Sequence, residues 1–312
     1  MQESFDKIVD LAMQEPGRGH MRPVIEKELL HYDILFALSE AKLLDDLVFQ
    51  GGTSLRLCHG APRFSEDLDF AGGVDLDIRH LVDIKQCLED YLGARYGLWV
   101  EVRPPAFNLN ESQAAGPGIT GRTAVIKWRI SIQTAPKRPD IPRQRIKLEV
   151  ANIPAYSREL RSLMRNYQFL PDGYSDVLIG VESLDEIMAD KLVSLPSCDT
   201  HVRHRDIWDL RWLKQQGAEI NHVMVSDKVR DYRERAYPAK LRRMIDQLDE
   251  IARGPAFRTE MGRFIPMDVQ DRTLGKEGFA AFLASEVKGL LATVERTLNE
   301  PGIKPLDTPF RM

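Results

Sequence analysis

The chain has 312 residues, with 43 Lys and Arg against 47 Asp and Glu, a formal charge of −4, 43% apolar residues and 29% charged ones. That length suits roughly two domains of about 100–200 residues, and the balance buries a core beneath a charged surface, which excludes a disordered tail, a collagen and a coiled-coil rod. No apolar run approaches the roughly 18 residues of a membrane span, and the opening MQESFDKIVDLAMQEPG lacks the basic start and apolar middle of a signal peptide.

In chain order, 3–13 and 24–45 read as helices. In the second, Ile25, Leu29, Tyr32, Leu35 and Leu38 recur every three or four positions as one stripe. The apolar run Leu47-Val48-Phe49 then meets Gly51-Gly52. Thr53 to His59 reads as a helix capped by Thr53 or Ser54 and broken at Gly60-Ala61-Pro62. Asp67-Leu68-Asp69-Phe70 reads as a short strand ending at Gly72-Gly73. A helix over 77–93 and a strand near Leu98 to Val102 follow, and 104–122, rich in Pro, Gly, Asn and Ser, reads as a long loop of the functional or mobile kind.

Two segments alternate with the period of a strand. Ile126, Trp128, Ile130 and Ile132 interleave with Lys127, Arg129 and Ser131, and Ile146, Leu148 and Val150 interleave with Arg145, Lys147 and Glu149. Joined through Pro136, Pro139 and Pro142, they predict an antiparallel hairpin over Ala124–Ile132 and Arg145–Val150 with one dry face and one wet, charged face. Beyond residue 155 the pattern is helical, over 183–195, 204–216, 226–253 and 276–298. The expected organisation is an α/β part over 1–160 followed by a helical part over 161–312, divided near 155–180.

The densest chemistry lies in Gly51-Gly52-Thr53-Ser54 and Arg63-Phe64-Ser65-Glu66-Asp67-Leu68-Asp69. Two glycines between a strand and a helix let the backbone approach a bulky anion at a helix N-terminus. Asp67 and Asp69, two apart on a strand, face the same way about 6.5 Å apart along the chain, and paired hard oxygens suit Mg²⁺ beside substrate phosphates. Taken alone, a Gly-Gly is a turn and an Asp-x-Asp is a solvated face that discourages aggregation. The combination within twenty residues is what points to a phosphate cradle beside a metal pair, with Gly51, Gly52, Thr53, Arg63 and Ser65 as its nucleotide-binding candidates. Glu149 is a candidate third metal ligand, or else the partner of Lys127 or Arg129 in a cross-strand salt bridge.

Lys191 borders an apolar stripe, where it either snorkels to water or reaches a triphosphate. Asp206 and Asp209 share a helix side, and Asp206 in a first turn is also explained by the helix dipole. From Ser226 to Ile245, seven bases face three acids, a local +4 that suits RNA phosphates, an ordinary helix surface or an acidic partner. Lys137, Arg138, Arg143 and Arg145 crowd the hairpin connection. Three odd, widely spaced cysteines (Cys58, Cys87, Cys198) predict a reducing cytoplasm and no zinc site.

Gly51-Gly52-Thr53-Ser54-Leu55, Arg63-x-Ser65-x-Asp67-Leu68-Asp69-Phe70, Lys147-Leu148-Glu149-Val150, Lys191-Leu192 and Arg205-Asp206-x-x-Asp209-Leu210 resemble, in order, the motifs of the AbiEii/AbiGii toxin family, which includes the MenT toxins. The resemblance spans roughly 45–215. It implies an α/β (α+β) fold of the polymerase-β-like nucleotidyltransferase type, a mixed sheet with flanking helices plus an α-helical C-terminal domain. It also implies Mg²⁺ (or Mn²⁺) on Asp67 and Asp69, Ser65 and the glycines by the triphosphate, and Lys191 and Asp206 as an essential pair from the helical domain. The expected activity is transfer of a nucleoside monophosphate from an NTP, pyrimidine favoured, to the 3′ end of tRNA. A protein or small-molecule acceptor, or a catalytically inactive nucleotide- or partner-binding module, are the alternatives. The expected partners are a tRNA acceptor stem and a winged-helix antitoxin encoded next door, in the cytoplasm.

Overall fold

In the computed structural model, which describes residues 4–105, 125–138 and 140–298, the two alternating segments pair as the antiparallel hairpin their pattern demands. They are β4 (Val125–Ile132) and β5 (Gln144–Ala151), with Trp128 facing Leu148 and Ile130 facing Ile146 on the buried side. The chain divides into one unit ending at Val181 and a second beginning at Glu182.

The first unit is built on a mixed sheet. The hairpin is joined by β1 (Val48–Gln50), β2 (Leu68–Ala71), β3 (Val100–Arg103), β6 (Glu159–Ser162) and β7 (Leu178–Val181), in the order β3-β4-β5-β2-β1-β7-β6 among the described residues. Strand β2 pairs antiparallel with β1 and parallel with β5, which sets Asp69 between Gln50 and Glu149. The last two strands correct the expectation that the pattern beyond 155 is helical. They also carry the sheet past the expected boundary at 160, and the division falls after Val181. At four residues each, and with β6 at the sheet edge, they are too short to show a period.

Among the described residues four α-helices accompany the sheet: α1 (Phe5–Met13), α2 (Arg22–Glu40), α3 (Gly51–Cys58) and α4 (Ile84–Tyr96), with a 3₁₀ turn at Ile78–Leu81. Helix α2 ends short of the expected residue 45. Lys42 takes φ 58°, its amide bonds to Ser39 O at 2.9 Å, and the Leu43 amide bonds to Leu38 O at 2.9 Å, the Schellman closure that satisfies the last carbonyls. The helix is also buried beyond its apolar stripe. Glu26 accepts from Thr134, Gln144 and Arg22, and Glu28 takes the Arg56 guanidinium at 2.7 and 3.0 Å, so these buried acids are compensated. The loop expected at 104–122 lies, from residue 106 on, outside the described residues.

The second unit consists, in its described residues, of helices α5 (Leu184–Ser197), α6 (His204–Gln215), α7 (His222–Asp231), α8 (Tyr237–Arg253), α9 (Pro255–Gly262), α10 (Met267–Arg272) and α11 (Phe279–Leu298). Leu241, Met244 and Leu248 of α8 pack against Leu283, Val287 and Leu291 of α11 as two amphipathic faces. The single helix expected over 226–253 is two helices. Arg233 takes φ 54°, with a second Schellman closure through Glu234 N to Val229 O at 3.0 Å, and Pro238 opens the next helix. No helix among the described residues is long and apolar enough to cross a membrane.

Candidate active site

The strand β1 ends at Gln50, and the chain turns directly into α3 at Gly51, whose φ of +76° only glycine adopts freely. A Cβ at Gly51 would stand 3.0 Å from Asp69 Oδ2, and one at Gly52 would stand 2.4 Å from Arg63 Nη2 and 3.0 Å from Ser65 Oγ. Gly51, Gly52, Arg63, Ser65 and Asp69 are thus brought together, and the two glycines are what allow the approach. Arg63 is 3% exposed and donates through Nη1 to Phe64 O at 2.9 Å. Its permanent charge therefore lies on the floor of the site.

Thr53 differs from the expected helix cap. The helix starts two residues earlier, and the Thr53 hydroxyl donates instead to the Asp67 carbonyl. Thr53 thereby fixes the backbone of the strand that carries the carboxylates. The same segment is tied from α2, where Lys27 Nζ meets Glu66 at 2.8 Å and His31 Nε2 meets Glu66 O at 3.1 Å. Burial holds His31 down at about 4, so its ring is neutral near pH 7 and donates that bond.

Asp67, immediately before β2, and Asp69 within it are both partly exposed, while Leu68 and Phe70 are buried in the core. Asp67 accepts from the Lys147 amide at 3.2 Å, and the Lys147 ammonium stands 3.4 Å from its other oxygen. The contact of Lys147 with Asp67 was not legible in the sequence because the parallel β2–β5 pairing links residues 80 positions apart. Glu149 lies in register beside Asp69, but its carboxylate is held by Lys127 at 2.8 Å, the salt-bridge arrangement. Partly exposed carboxylates on one strand face are a hard-oxygen donor set, and the Gln50 Oε1 on the neighbouring strand is buried with no hydrogen-bond partner among the described residues. The chemistry of these donors fits Mg²⁺ or Mn²⁺.

In the second unit Lys191 is 5% exposed, so it is not a snorkelling surface lysine. Its Nζ lies 2.9 Å from Asp206 and 2.8 Å from Asp209. Asp206 also accepts from Ser194 Oγ at 2.9 Å and pairs with Arg203. Burial by itself would raise the Asp206 carboxyl, but the Arg203 and Lys191 charges outweigh it and hold the group well below the usual carboxylate range. Lys191, Asp206 and Asp209 are buried, and the exposed Arg203 adds a second cation from the water side, so the two buried anions are balanced.

A second charge cluster was absent from the sequence reading. Lys228 is fully buried, with Glu186, Asp190 and Glu182 at 2.7, 3.1 and 3.3 Å. Among the described residues, these three acids are the group whose ligand atoms all come within 4.8 Å of one another, and an ammonium already stands among them. Burial pushes the Glu182 and Asp190 carboxyls up. Glu186 and Asp190 share one face of α5 and Glu182 lies just before its Ser183 cap, though nothing local signals the lysine they meet. The cluster also removes Lys228 from the basic stretch 226–245. There Arg230 pairs with Asp227, Lys240 with Asp199 and Glu234, Arg242 with Glu295 and Arg243 with Asp199. Most of the local excess is neutralised within the unit.

A mixed seven-stranded sheet with an Asp-x-Asp strand beside a Gly-Gly helix start defines a nucleotidyltransferase fold. The sequence pattern of the family described as "Nucleotidyl transferase AbiEii toxin, Type IV TA system" matches residues 33–285. MenT4, a nucleotidyltransferase toxin of Mycobacterium tuberculosis, superposes with a TM-score of 0.50 at 18% identity over 96% of this chain and 100% of its own. JHP933 of Helicobacter pylori gives 0.49 at 17% identity over 88% of this chain and 93% of its own. No curated protein matches the chain. The chain belongs to the AbiEii family of nucleotidyltransferase toxins, a toxin–antitoxin family whose members are transferases and have an antitoxin partner.

Proposed function

We propose that this transferase moves a nucleoside monophosphate from an NTP, a pyrimidine nucleotide by preference, to the 3′ end of tRNA in the cytoplasm, and that a winged-helix antitoxin from a neighbouring gene restrains it. The observation that carries the reading is the approach of Arg63, Ser65 and Asp69 to the Gly51-Gly52 backbone. It unites a cation, a hydroxyl and a carboxylate at one helix N-terminus, where backbone amides favour a phosphate.

In this reading Asp67 and Asp69 hold Mg²⁺ or Mn²⁺, and Glu149 joins them by exchanging its partly exposed pair with Lys127, a pair of the kind worth about 0–1 kcal/mol. When bound, the ion supplies positive charge to the phosphate oxygens and to the departing pyrophosphate. The 3′-hydroxyl oxygen forms a bond to the α-phosphorus, the bond from that phosphorus to the β-bridging oxygen breaks, pyrophosphate leaves, and the hydroxyl proton passes to water. Lys191 and Asp206 are, in this reading, the essential pair that the helical unit contributes. Asp206 fixes Lys191 and is a poor proton acceptor, because a base works best with a pKa near the working pH and this carboxyl is held far below it. Positioning and electrostatics supply the rate.

Incubation with each of four α-labelled NTPs, total deacylated tRNA and Mg²⁺ tests it. Label should enter tRNA, most from CTP or UTP, and should vanish with EDTA or Asp67→Asn. Label in protein or a small-molecule acceptor alone, or in nothing, overturns the tRNA reading.

A further inference from the structure

We infer that the water-facing side of β3, β4 and β5 is the surface along which an RNA backbone lies as it approaches Asp67, an inference that rests on the RNA-acceptor reading above. In the sheet register Arg129 stands between Arg103 and Lys147, three bases side by side across three strands. Arg103 is paired with Glu101 at 3.1 Å and Lys147 with Asp67 at 3.4 Å, so Arg129 is the base of this row that no acid compensates among the described residues. Arg129, Arg143 and Arg145 are exposed, and none has an ion-pair partner among the described residues.

The row has a direction. Lys147 ends it, 3.4 Å from Asp67, and adjacent strands lie about 4.8 Å apart. A polyanion gripped by Arg129 and Lys147 is therefore delivered within one strand spacing of the reacting carboxylates. At the far corner the Arg143 guanidinium lies 4.1 Å over the ring of Trp99, which is 43% exposed and offers an aromatic surface to a base. The helical stretch 226–245, richer in bases along the sequence, has most of them paired internally. An acidic protein would meet the same arginines, but only the acceptor strand has to end at Asp67.

The full chain and its Arg129→Gln/Arg145→Gln double variant are compared for binding of fluorescent deacylated tRNA and of a short single-stranded RNA, by anisotropy over a range of KCl. We expect a loss of roughly tenfold or more, and a slope of log affinity against log salt smaller by about 1.5, since each phosphate contact contributes about 0.7–0.9. The thermal midpoint should hold, because Arg129 and Arg145 are exposed and have no ion-pair partner among the described residues to lose. Arg129→Lys/Arg145→Lys should restore the slope, and Arg235→Glu, on an exposed arginine of the second unit, should leave it unchanged. An unchanged affinity and slope in the Gln pair, or a loss of antitoxin binding in place of RNA binding, overturns the inference. If the wild-type chain labels no RNA yet binds it with a salt slope that the Gln pair loses, the transfer reading falls and this surface stands. If RNA is labelled while the Gln pair keeps affinity and slope, the surface falls and the transfer reading stands.

Discussion

Lys191 in the helical unit is 5% exposed and touches two carboxylates at 2.8 and 2.9 Å, whereas the Lys147 side chain in the sheet unit is half exposed and stands 3.4 Å from Asp67. The contrast extends to their surroundings. Lys228 is fully enclosed by three acids, while Arg129 and Arg145 face water. A buried ion is held by partners it cannot lose without leaving an uncompensated charge, so its geometry and the stability of the fold are one quantity. An exposed pair is worth about 0–1 kcal/mol and exchanges readily for a ligand. The helical unit thus offers preset charges, and the sheet unit offers adjustable ones.

The sharpest way to break that contrast is to remove a buried cation. Lys228→Met leaves Glu182, Glu186 and Asp190 facing one another, and chemical denaturation should show a loss of about 3–5 kcal/mol; a loss under about 1 kcal/mol would mean that the cluster is not held by its lysine. Lys191→Met should lower stability by a similar amount and abolish transfer as well.

On the sheet side the two effects should separate. Asp67→Asn is expected to cut the transfer rate about a thousandfold, corresponding to about 4 kcal/mol at about 1.36 kcal/mol per factor of ten, with a thermal midpoint equal to or above that of the parent. A variant that unfolded instead would place Asp67 among the structural residues.

His31 gives an effect of about 3 kcal/mol that appears only with pH. Its folded value of about 4 lies below the ordinary 6.5 because it is buried. Between those values the unfolded chain binds a proton that the folded chain does not, so the contribution is complete above pH 6.5 and is lost as pH falls towards 4. Denaturation of wild type and His31→Gln at pH 7 and pH 4 should therefore show the variant losing less, and parallel pH profiles would sink the idea.

The smallest change is Gly52→Ala. Its Cβ would press on the end of the Arg63 side chain at 2.4 Å, which should cost about 1–3 kcal/mol of overpacking and weaken NTP binding more than it weakens folding. Calorimetry with a nonhydrolysable NTP, beside a melting curve, checks the order of the two.

The hairpin over 124–132 and 145–150 was legible because strand period and burial coincide in it, and so was the helix start at the Ser183 cap; Asn221 and Pro238 carried local marks as well, yet the single helix expected over 226–253 missed both starts. The ends of α2 and α7 were not legible. Both chains stop through a left-handed residue, Lys42 and Arg233, where glycine is the usual signal. Strands β6 and β7 are too short for a period to emerge, and β6 lies on the sheet edge. Thr53 looked like a cap in sequence because a hydroxyl directly after a glycine pair suits one; only the fold shows its hydroxyl on the Asp67 carbonyl.

Composition, period-two alternation and the Gly-Gly and Asp-x-Asp spacings by themselves determined a mixed α/β chain with a helical part and two carboxylates on one strand face, since each depends on residues within a few positions. Beyond the Lys127–Glu149 pair that the hairpin alternation already offered, which cation meets which acid was decided by tertiary structure. Lys147 reaches Asp67 through a parallel pairing, and Lys228 reaches Glu182 across 46 positions. Coulomb attraction depends on distance in space and on exclusion of water, and neither is written in the order of the residues.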